Sequence, residues 1–501
     1  MELIHTDIDE LPSIVQKLRK SFHSNLTKPL RYRKEQLGNL YRMIDENEQA
    51  FCDALYKDLH KHKYESLLGE LAWVKQEALD TTSSLKNWAE PNYVKVNLGY
   101  MMNKCHVRKE PVGIVLIIGT WNYPVNLLFM PFIGAIAAGC TVILKPSELS
   151  VHTSALISEL FPKYLDQDAY RIVSGGAVET TALLKHRFDH IFYTGSGKVG
   201  KIIMSAAAEH LTPVTLELGG KSPTIVASDV DISILAKRII WGTMYNCGQT
   251  CIAPDYMICE RSVQDAFIKE APKVLEQFYG LDPQSSTSRY CRIINKSHFD
   301  RLQNLLNQTK GRIVHGGNFD KEDLYISPTI VADVPKEDKL MEDEIFGPIF
   351  PIVVVENLDE AIEYVNSKDI PLALYPFSKS DKTVKHILDN TRSGGVVIND
   401  CLMHFTVKDL PFGGQGPSGI GSYHGKRSFD TFSHERSVMT TPFAMEKLVK
   451  ARYPPYTEFN MKLLFWLFFS KPKKTRNIAF KGIFGAAIML FIVYGIRKII
   501  L

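Results

Sequence analysis

Between Pro111 and Leu144 the chain carries no charged residue, and a run of that length must be covered either by protein or by lipid. Its internal composition decides which. "VGIVLIIG" is rich in β-branched residues, Asn122 and Pro124 break the run within "TWNYP", "NLLFMPFIGAIAAGC" suits a helix, and "TVILKP" returns to strand composition. The segment therefore predicts a buried β-α-β unit, because strands of a parallel sheet are covered on both faces and carry near-continuous apolar runs.

The same alternation continues. "YRIVSG", "HIFYTG" and "PVTLELGG" suit strands, and "KVGKIIMSAAAEHL" a helix between two of them, which predicts a doubly wound α/β sheet with right-handed crossovers. A second alternating set runs from about Lys221 to Pro411, with "IFPIVVVE" and "SGGVVIND" as strands and "NLDEAIEYVNS" as a helix. Residues 1–90 have apolar side chains at helical spacing. With 501 residues the chain has room for two or three domains, and two α/β domains flanking a cleft is the economical arrangement.

Composition excludes several classes. Hydrophobic residues at 45% and charged residues at 23% leave little room for disorder, and a net charge of +4, dispersed along the chain, argues against nucleic acid as a partner. The eight cysteines are scattered and form no CxxC pair, so reduced thiols are expected and no metal site. The first twenty residues carry Glu2, Asp7, Asp9 and Glu10, which fits neither a secretory signal nor an acid-poor transit peptide.

The C-terminal stretch "KPKKTRNIAFKGIFGAAIMLFIVYGIRKIIL" reads differently from the first apolar run. A basic cluster precedes an apolar segment, residues 477–497 at its widest, and a helix of roughly 20 residues spans the ~30 Å hydrocarbon core of a bilayer. A single transmembrane anchor is expected there, with the bulk of the protein facing the cytosol. Its basic flanks suit the endoplasmic reticulum, the mitochondrial outer membrane or peroxisomes equally. Upstream, "LLFWLFF" is too short to span and suits a membrane interface, with Trp466 at headgroup depth.

Two places carry candidate chemistry. "YTGSGKVG" puts Gly195, Ser196, Gly197 and Gly200 between a strand and a helix, the setting of a dinucleotide loop, although the same glycines also suit a plain tight turn. Lys145 and Glu148 of "ILKPSEL" follow another strand end, where an ammonium and a carboxylate suit ribose hydroxyls. In "NCGQTCIAPDY", Cys247 and Cys251 are spaced one helical turn apart, as a metal pair, a disulfide or a nucleophile with a bystander; no neighbouring His or carboxylate cluster completes a metal site.

These motifs, in order, resemble a known family. "GTWNYP", "KPSE", "FYTGS", "LELGGKSP", "GQTC", "EIFGP", "SGGVVIND" and "LPFGGQGPSGIGSYHGKRSFDTFSH" are similar to aldehyde dehydrogenases over roughly residues 110–440. "CIAPDY" and "GSYHGKRSFDTFSH" resemble the class 3 branch in particular, and the apolar tail its membrane-anchored fatty aldehyde dehydrogenases. The resemblance implies a Rossmann-type NAD-binding domain (1–85 and 106–213), an α/β catalytic domain (214–420), a small bridging sheet used in oligomerisation (86–105 and 421–445), a membrane-proximal segment (446–476) and the anchor (477–497).

It also implies roles. Cys251 is the nucleophile, Asn122 and the Cys251 backbone N–H stabilise the oxyanion, and Glu217 is the general base. Loss of one oxyanion donor typically costs ~3 kcal/mol in the transition state. Glu344 and Phe346 hold the nicotinamide ribose and ring, and in class 3 enzymes Glu344 is a second candidate for the base. Cys247 becomes a neighbour able to trap an oxidised Cys251 as a reversible disulfide.

The loop departs from the family's usual Gly-Ser-Thr or Gly-Ser-Pro, because Gly197 follows Ser196, so Gly197 is the least secure cofactor residue. Glu148 favours NAD by accepting hydrogen bonds from a 2′-hydroxyl, and Lys145 beside it leaves NADP open. The expected function is NAD(P)-dependent oxidation of long-chain, hexadecanal-type aldehydes at a membrane surface by a homodimer. A medium-chain or aromatic aldehyde is the alternative substrate. A catalytically silent membrane scaffold is the alternative of another class, and the joint presence of Cys251, Asn122 and Glu217 argues against it.

Overall fold

The computed structural model describes residues 3–285, 288–443 and 446–469. The expected anchor at 477–497, and the last part of the membrane-proximal segment, lie outside these residues. Among the described residues no helix is long and apolar enough to cross a membrane.

The chain forms two compact units, residues 1–90 with 108–436 and residues 91–107 with 437 onward. Within the first, the uncharged run folds as the alternation predicts: the strand Ile114–Ile118, the helix Asn126–Ala138 and the strand Thr141–Lys145. The two strands pair in parallel, Ile114 opposite Thr141 and Ile118 opposite Lys145. Nearly every residue of the helix is buried. An α-helix that is apolar all round has no solvent face to offer, and the core closes over it on every side. It ends at Gly139, whose φ of 93° is a left-handed cap that costs glycine little.

Six strands make the first sheet, in the order Gly419–Ile420, Val214–Glu217, His190–Thr194, Ile114–Ile118, Thr141–Lys145 and Tyr170–Ile172. All pairs are parallel except the edge strand Gly419–Ile420, which runs antiparallel to Val214–Glu217. Chain order reverses beside Ile114–Ile118, whose neighbours are the next strand in sequence on one side and a later one on the other. Such a switch point leaves a crevice at the carboxyl ends of the strands, where open α/β sheets bind ligands.

The second sheet has seven strands, in the order Arg312–His315, Thr329–Ala332, Ile349–Val354, Tyr256–Cys259, Pro223–Val226, Ala373–Phe377 and Gly395–Val396. Only the edge strand Arg312–His315 is antiparallel to its neighbour. "SGGVVIND" contributes only Gly395–Val396 as strand, shorter than its apolar composition suggested. Residues 11–89 are helical throughout most of their length, as their spacing predicts, with a π-helical turn at Leu67–Leu71.

In the second unit, Asn92 and Tyr93 pair antiparallel with Val107 and His106. Its helix Glu458–Phe468 presents Phe459, Phe465 and Trp466 to the exterior.

Candidate active site

The site lies where the two sheets of the first unit meet. Asn122, Lys145, Glu148, Gly195 and Glu217 all sit at or just after the carboxyl ends of first-sheet strands, whereas Cys251, Glu344 and Phe346 precede the second-sheet strands Tyr256–Cys259 and Ile349–Val354. A strand's end fixes the direction in which the next few residues leave the sheet. Residues far apart in sequence are thereby aimed at one volume.

Cys251 lines an apolar pocket with Leu127, Ile252, Leu402, Phe405 and Phe412. Burial pushes its thiol up, and the nearby Glu344 and Glu217 carboxyls add to the rise, while the backbone N–H groups of Cys251 and Ile252 oppose it. The resting group is therefore a thiol. Glu217 is 3% exposed, and neither of its carboxyl oxygens has a hydrogen-bond partner among the described residues. Burial alone raises it well above the usual carboxylate range. Glu344 is pushed up to about 8, mainly by burial and then by Asp255, against the opposing Gly220 N–H and the Lys221 and Arg301 cations. Two carboxyls of raised pKa beside one thiol make a set whose ionised forms bind protons strongly.

The nucleophile loop departs from the helical turn expected between the cysteines. Residues Tyr245–Gly248 form a 3-10 turn in which Asn246 and Cys247 adopt left-handed φ values of 53° and 55°. Left-handed backbone at a non-glycine residue costs on the order of 1 kcal/mol or more and persists where surrounding bonds over-determine it. Those bonds are present. Glu65 accepts from Asn246 N at 3.1 Å, Asn246 Nδ2 donates to Asn122 O at 3.0 Å, and Gln249 Nε2 donates to Asn246 O at 3.1 Å. Gly248, at φ 71°, lies so close that a Cβ there would strike Gly347 O. Cys247 is fully buried and its thiol pairs with Tyr290; Cys251 alone of the two opens on the pocket.

Asn122 is 2% exposed and its Nδ2 donates to Gln249 O at 2.9 Å. Its position depends on residues that the sequence motifs do not mark. Lys61 and Glu70, both completely buried, pair at 2.7 Å, and Lys61 Nζ also donates to Asn122 O at 2.9 Å. Glu70 Oε2 accepts from Val125 N and Asn126 N, each at 3.0 Å, and so satisfies the start of the buried helix. "DLHKHK" looks like surface in the sequence, and only the fold reveals the pair. Lys61→Met should lower stability by about 3–5 kcal/mol, the usual cost of leaving one partner of a buried ion pair alone. An unchanged urea midpoint in that variant would count against a structural role for the pair.

Lys221, Asp255 and Arg301 were also unmarked. Lys221 Nζ bonds Asp255 and donates to Leu340 O at 2.6 Å and Asp343 O at 3.0 Å, while Asp255 accepts from Ile345 N at 2.9 Å. These bonds anchor the turn bearing Glu344 and Phe346. The signal was present, because Lys221 closes "LELGGK" and Asp255 lies in "CIAPDY". Trp121 meets Phe346 edge-on at 5.4 Å.

At the end of the strand Thr141–Lys145, Lys145 Nζ and Glu148 Oε2 pair at 2.7 Å. Gly195 is tight, since a Cβ there would strike the Tyr193 hydroxyl, and Gly200 packs on Leu218. Gly197 has open space around it and is the first residue of the helix Gly197–Ala208, which Ser196 caps through Val199 N at 3.4 Å. The loop is thus a strand-to-helix turn made by Gly195 and Ser196, with Gly197 already helical. Thr194 Oγ1, at the strand end, is buried without a partner among the described residues. A helix N-terminus at a strand-to-helix turn, a buried hydroxyl without a partner among the described residues and a cation–carboxylate pair suit the phosphates and ribose of a dinucleotide.

The fold and this constellation define a thiol-dependent α/β oxidoreductase, and the comparisons give its family. The profile described as "Aldehyde dehydrogenase family" matches residues 3–438, and the chain belongs to that family. It is 50% identical over 444 residues to mouse aldehyde dehydrogenase family 3 member A2, covering 89% of this chain and 91% of that protein. It is 49% identical over 448 residues to the mouse "Aldehyde dehydrogenase, dimeric NADP-preferring", covering 89% and 98%. The solved substrate-bound state of Staphylococcus aureus AldH superposes with a TM-score of 0.88 at 41% identity, covering 91% of this chain and 99% of that one. The protein is an aldehyde dehydrogenase.

Proposed function

We propose that this enzyme oxidises long-chain aldehydes to carboxylic acids through a thioester on Cys251, with NAD or NADP as the oxidant. The apolar pocket that Cys251 helps to line carries this reading. Its walls are side chains such as Leu127, Ile252, Leu402, Phe405 and Phe412, and each methylene they remove from water is worth ~0.8 kcal/mol.

The thiol of Cys251 gives its proton to the ionised form of Glu344 or Glu217, the two carboxyls close enough to raise it, and the thiolate attacks the aldehyde carbon. One N–H of the Asn122 carboxamide is spent on Gln249 O; its other N–H and the backbone N–H of Cys251 serve the oxyanion. The nicotinamide, when bound, supplies the hydride acceptor. Phe346 and Glu344 place it, and Lys145, Glu148, Gly195, Ser196 and the start of the helix at Gly197 hold the rest of the cofactor. Gly200 lets that helix pack against Leu218.

Glu217 then takes a proton from water, the hydroxyl adds to the thioester carbon, and the Cys251 sulfur leaves. Overall, one aldehyde, one NAD+ and one water give one carboxylate, one NADH and two protons.

Residues 1–85 and 106–213 are assigned to cofactor binding, 214–420 to catalysis, and the two short segments between and after them to assembly. The homodimer assignment draws on the relative named dimeric. The tail at 477–497 is assigned as a membrane anchor that holds the enzyme where lipid aldehydes partition, its catalytic domains in the cytosol. Comparing kcat/KM for hexadecanal, hexanal and benzaldehyde tests the substrate class, and a preference for benzaldehyde would sink it. A chain ending at Ser470 should leave the membrane fraction after a carbonate wash.

A further inference from the structure

While an acyl chain is bound to Cys251 it fills the apolar pocket, and the water that hydrolyses the thioester needs another way in. The two protons released per turnover need a way out. Neither oxygen of Glu217 has a hydrogen-bond partner among the described residues, so no bonded group there draws off the proton it collects.

A second cavity meets the first. Asn126, Phe405 and His424 line both, so these three side chains form the partition between them. Beyond it the walls turn polar, with Glu77, Asp80 and Lys408. Glu77 is 4% exposed and its Oε1 accepts from Gly425 N at 2.9 Å. Asp80 and Lys408, partly exposed and paired at 3.0 Å, stand at the outer end. On the inner side, Tyr423 lines the Cys251 pocket and lies within electrostatic reach of Glu217, Cys251 and Glu77. His424 is 5% exposed and stacks on Phe412 at 5.1 Å.

We propose that this side cavity is the water and proton route of the hydrolytic step, with Glu77 as the group that accepts protons from the Cys251 pocket and passes them to solvent beside Asp80 and Lys408.

The groups facing Glu77 favour that work. Burial pushes its carboxyl up to about 7, opposed by the Gly425 N–H and Lys408 and reinforced by Asp80 and Asp409. His424, from the adjoining turn, is lowered to about 3 by burial and by His404, so it stays neutral and offers ring nitrogens to water without competing for the proton. Step by step, water loses a proton to Glu217 and its hydroxyl joins the thioester carbon. The carbon–sulfur bond breaks, and the proton on Glu217 moves through water and the Tyr423 hydroxyl to Glu77. Tyr423 gives one proton as it receives another.

The proposal rests on the Cys251 thioester reading, and first-turnover kinetics separate the two. Glu77→Gln keeps the acceptor for Gly425 N but cannot carry a proton. With a saturating aldehyde, the first turnover of NADH should match the unaltered enzyme, whereas steady-state turnover near pH 7 should fall about a hundredfold, the low end for a positioned proton acceptor. Imidazole added as a small mobile base should restore it. His424→Phe, which keeps the stack on Phe412, should show the same pattern. Steady-state turnover equal to the unaltered enzyme, a loss that imidazole does not restore, or a slowed first turnover would each overturn the proposal. Absence of any thioester in the unaltered enzyme would overturn the Cys251 reading instead.

Discussion

Cys251→Ser is expected to abolish aldehyde-dependent NADH formation, by on the order of 10⁴-fold or more, as removal of a nucleophile does elsewhere. The serine hydroxyl is a far weaker nucleophile than a thiol at the same site, and here the demand is severe. Burial and two carboxyls already raise the Cys251 thiol; a hydroxyl, with a much higher starting pKa, has no activated form within reach. The fold should be unaffected, because serine is close to cysteine in size and Cys251 makes no structural bond that serine forfeits.

The control is Cys247→Ser. Cys247 is fully buried with its thiol on Tyr290, so its replacement should cost some stability and leave turnover in place. An active Cys251→Ser enzyme, or an inactive but folded Cys247→Ser enzyme, would refute the assignment.

Glu217→Gln should divide the reaction in two. Glutamine is isosteric and its carboxamide fits the same volume, but it cannot take a proton from water. Thioester hydrolysis should fall by roughly 10²–10⁴-fold, the usual contribution of a positioned general base, while a first turnover of NADH remains visible. The pH dependence follows from the direction of the shift. Burial raises the Glu217 pKa, so the active carboxylate form is lost as pH falls through that raised value and gained as pH rises. Hydrolysis in the unaltered enzyme should therefore climb with pH, and Glu217→Gln should lose that limb. If the limb survives in Glu217→Gln, the base is Glu344, which at about 8 titrates in the same direction. Acyl-enzyme accumulation by intact mass measurement distinguishes Glu217→Gln from the unaltered enzyme directly.

Much of the architecture is legible in local pattern. The uncharged run at 111–144 contains its own strand, helix and strand, since a parallel strand and an all-round buried helix both require unbroken apolar sequence. Asn122, Glu217 and Cys251 lie in short motifs whose spacing is set by local backbone, at strand ends and in the turn before a strand. The loop at 194–200 is less legible from spacing. Its three glycines fit a spacing pattern, yet Gly197 proved to be helical and unconfined while Gly195 is the sterically required one. Spacing alone does not distinguish a glycine that must be glycine from one that need not be.

The supporting residues were less visible for a different reason. Lys61 and Glu70 look like ordinary helix-surface charges, and Asn246 like a turn residue. Each acquires its role from partners far along the chain: Lys61 from Asn122, Glu70 from Val125 and Asn126, Asn246 from Glu65 and Asn122. A buried charge carries no local signature, because its cost is offset by a partner that sequence distance hides.

The sequence by itself determined the class of fold and the family, and named the side chains proposed to react, because those readings depend on periodicity and on short motifs that a strand end or turn holds in place. Only the tertiary structure decided that Cys251 rather than Cys247 opens on the pocket, that Glu217 stands without a partner among the described residues, and that a buried lysine holds the Asn122 backbone. It also set a polar cavity beside the apolar one, with Glu77 in its wall. Those are properties of volumes enclosed by segments hundreds of residues apart, and burial, which sets both packing and pKa, exists only once the chain has closed around them.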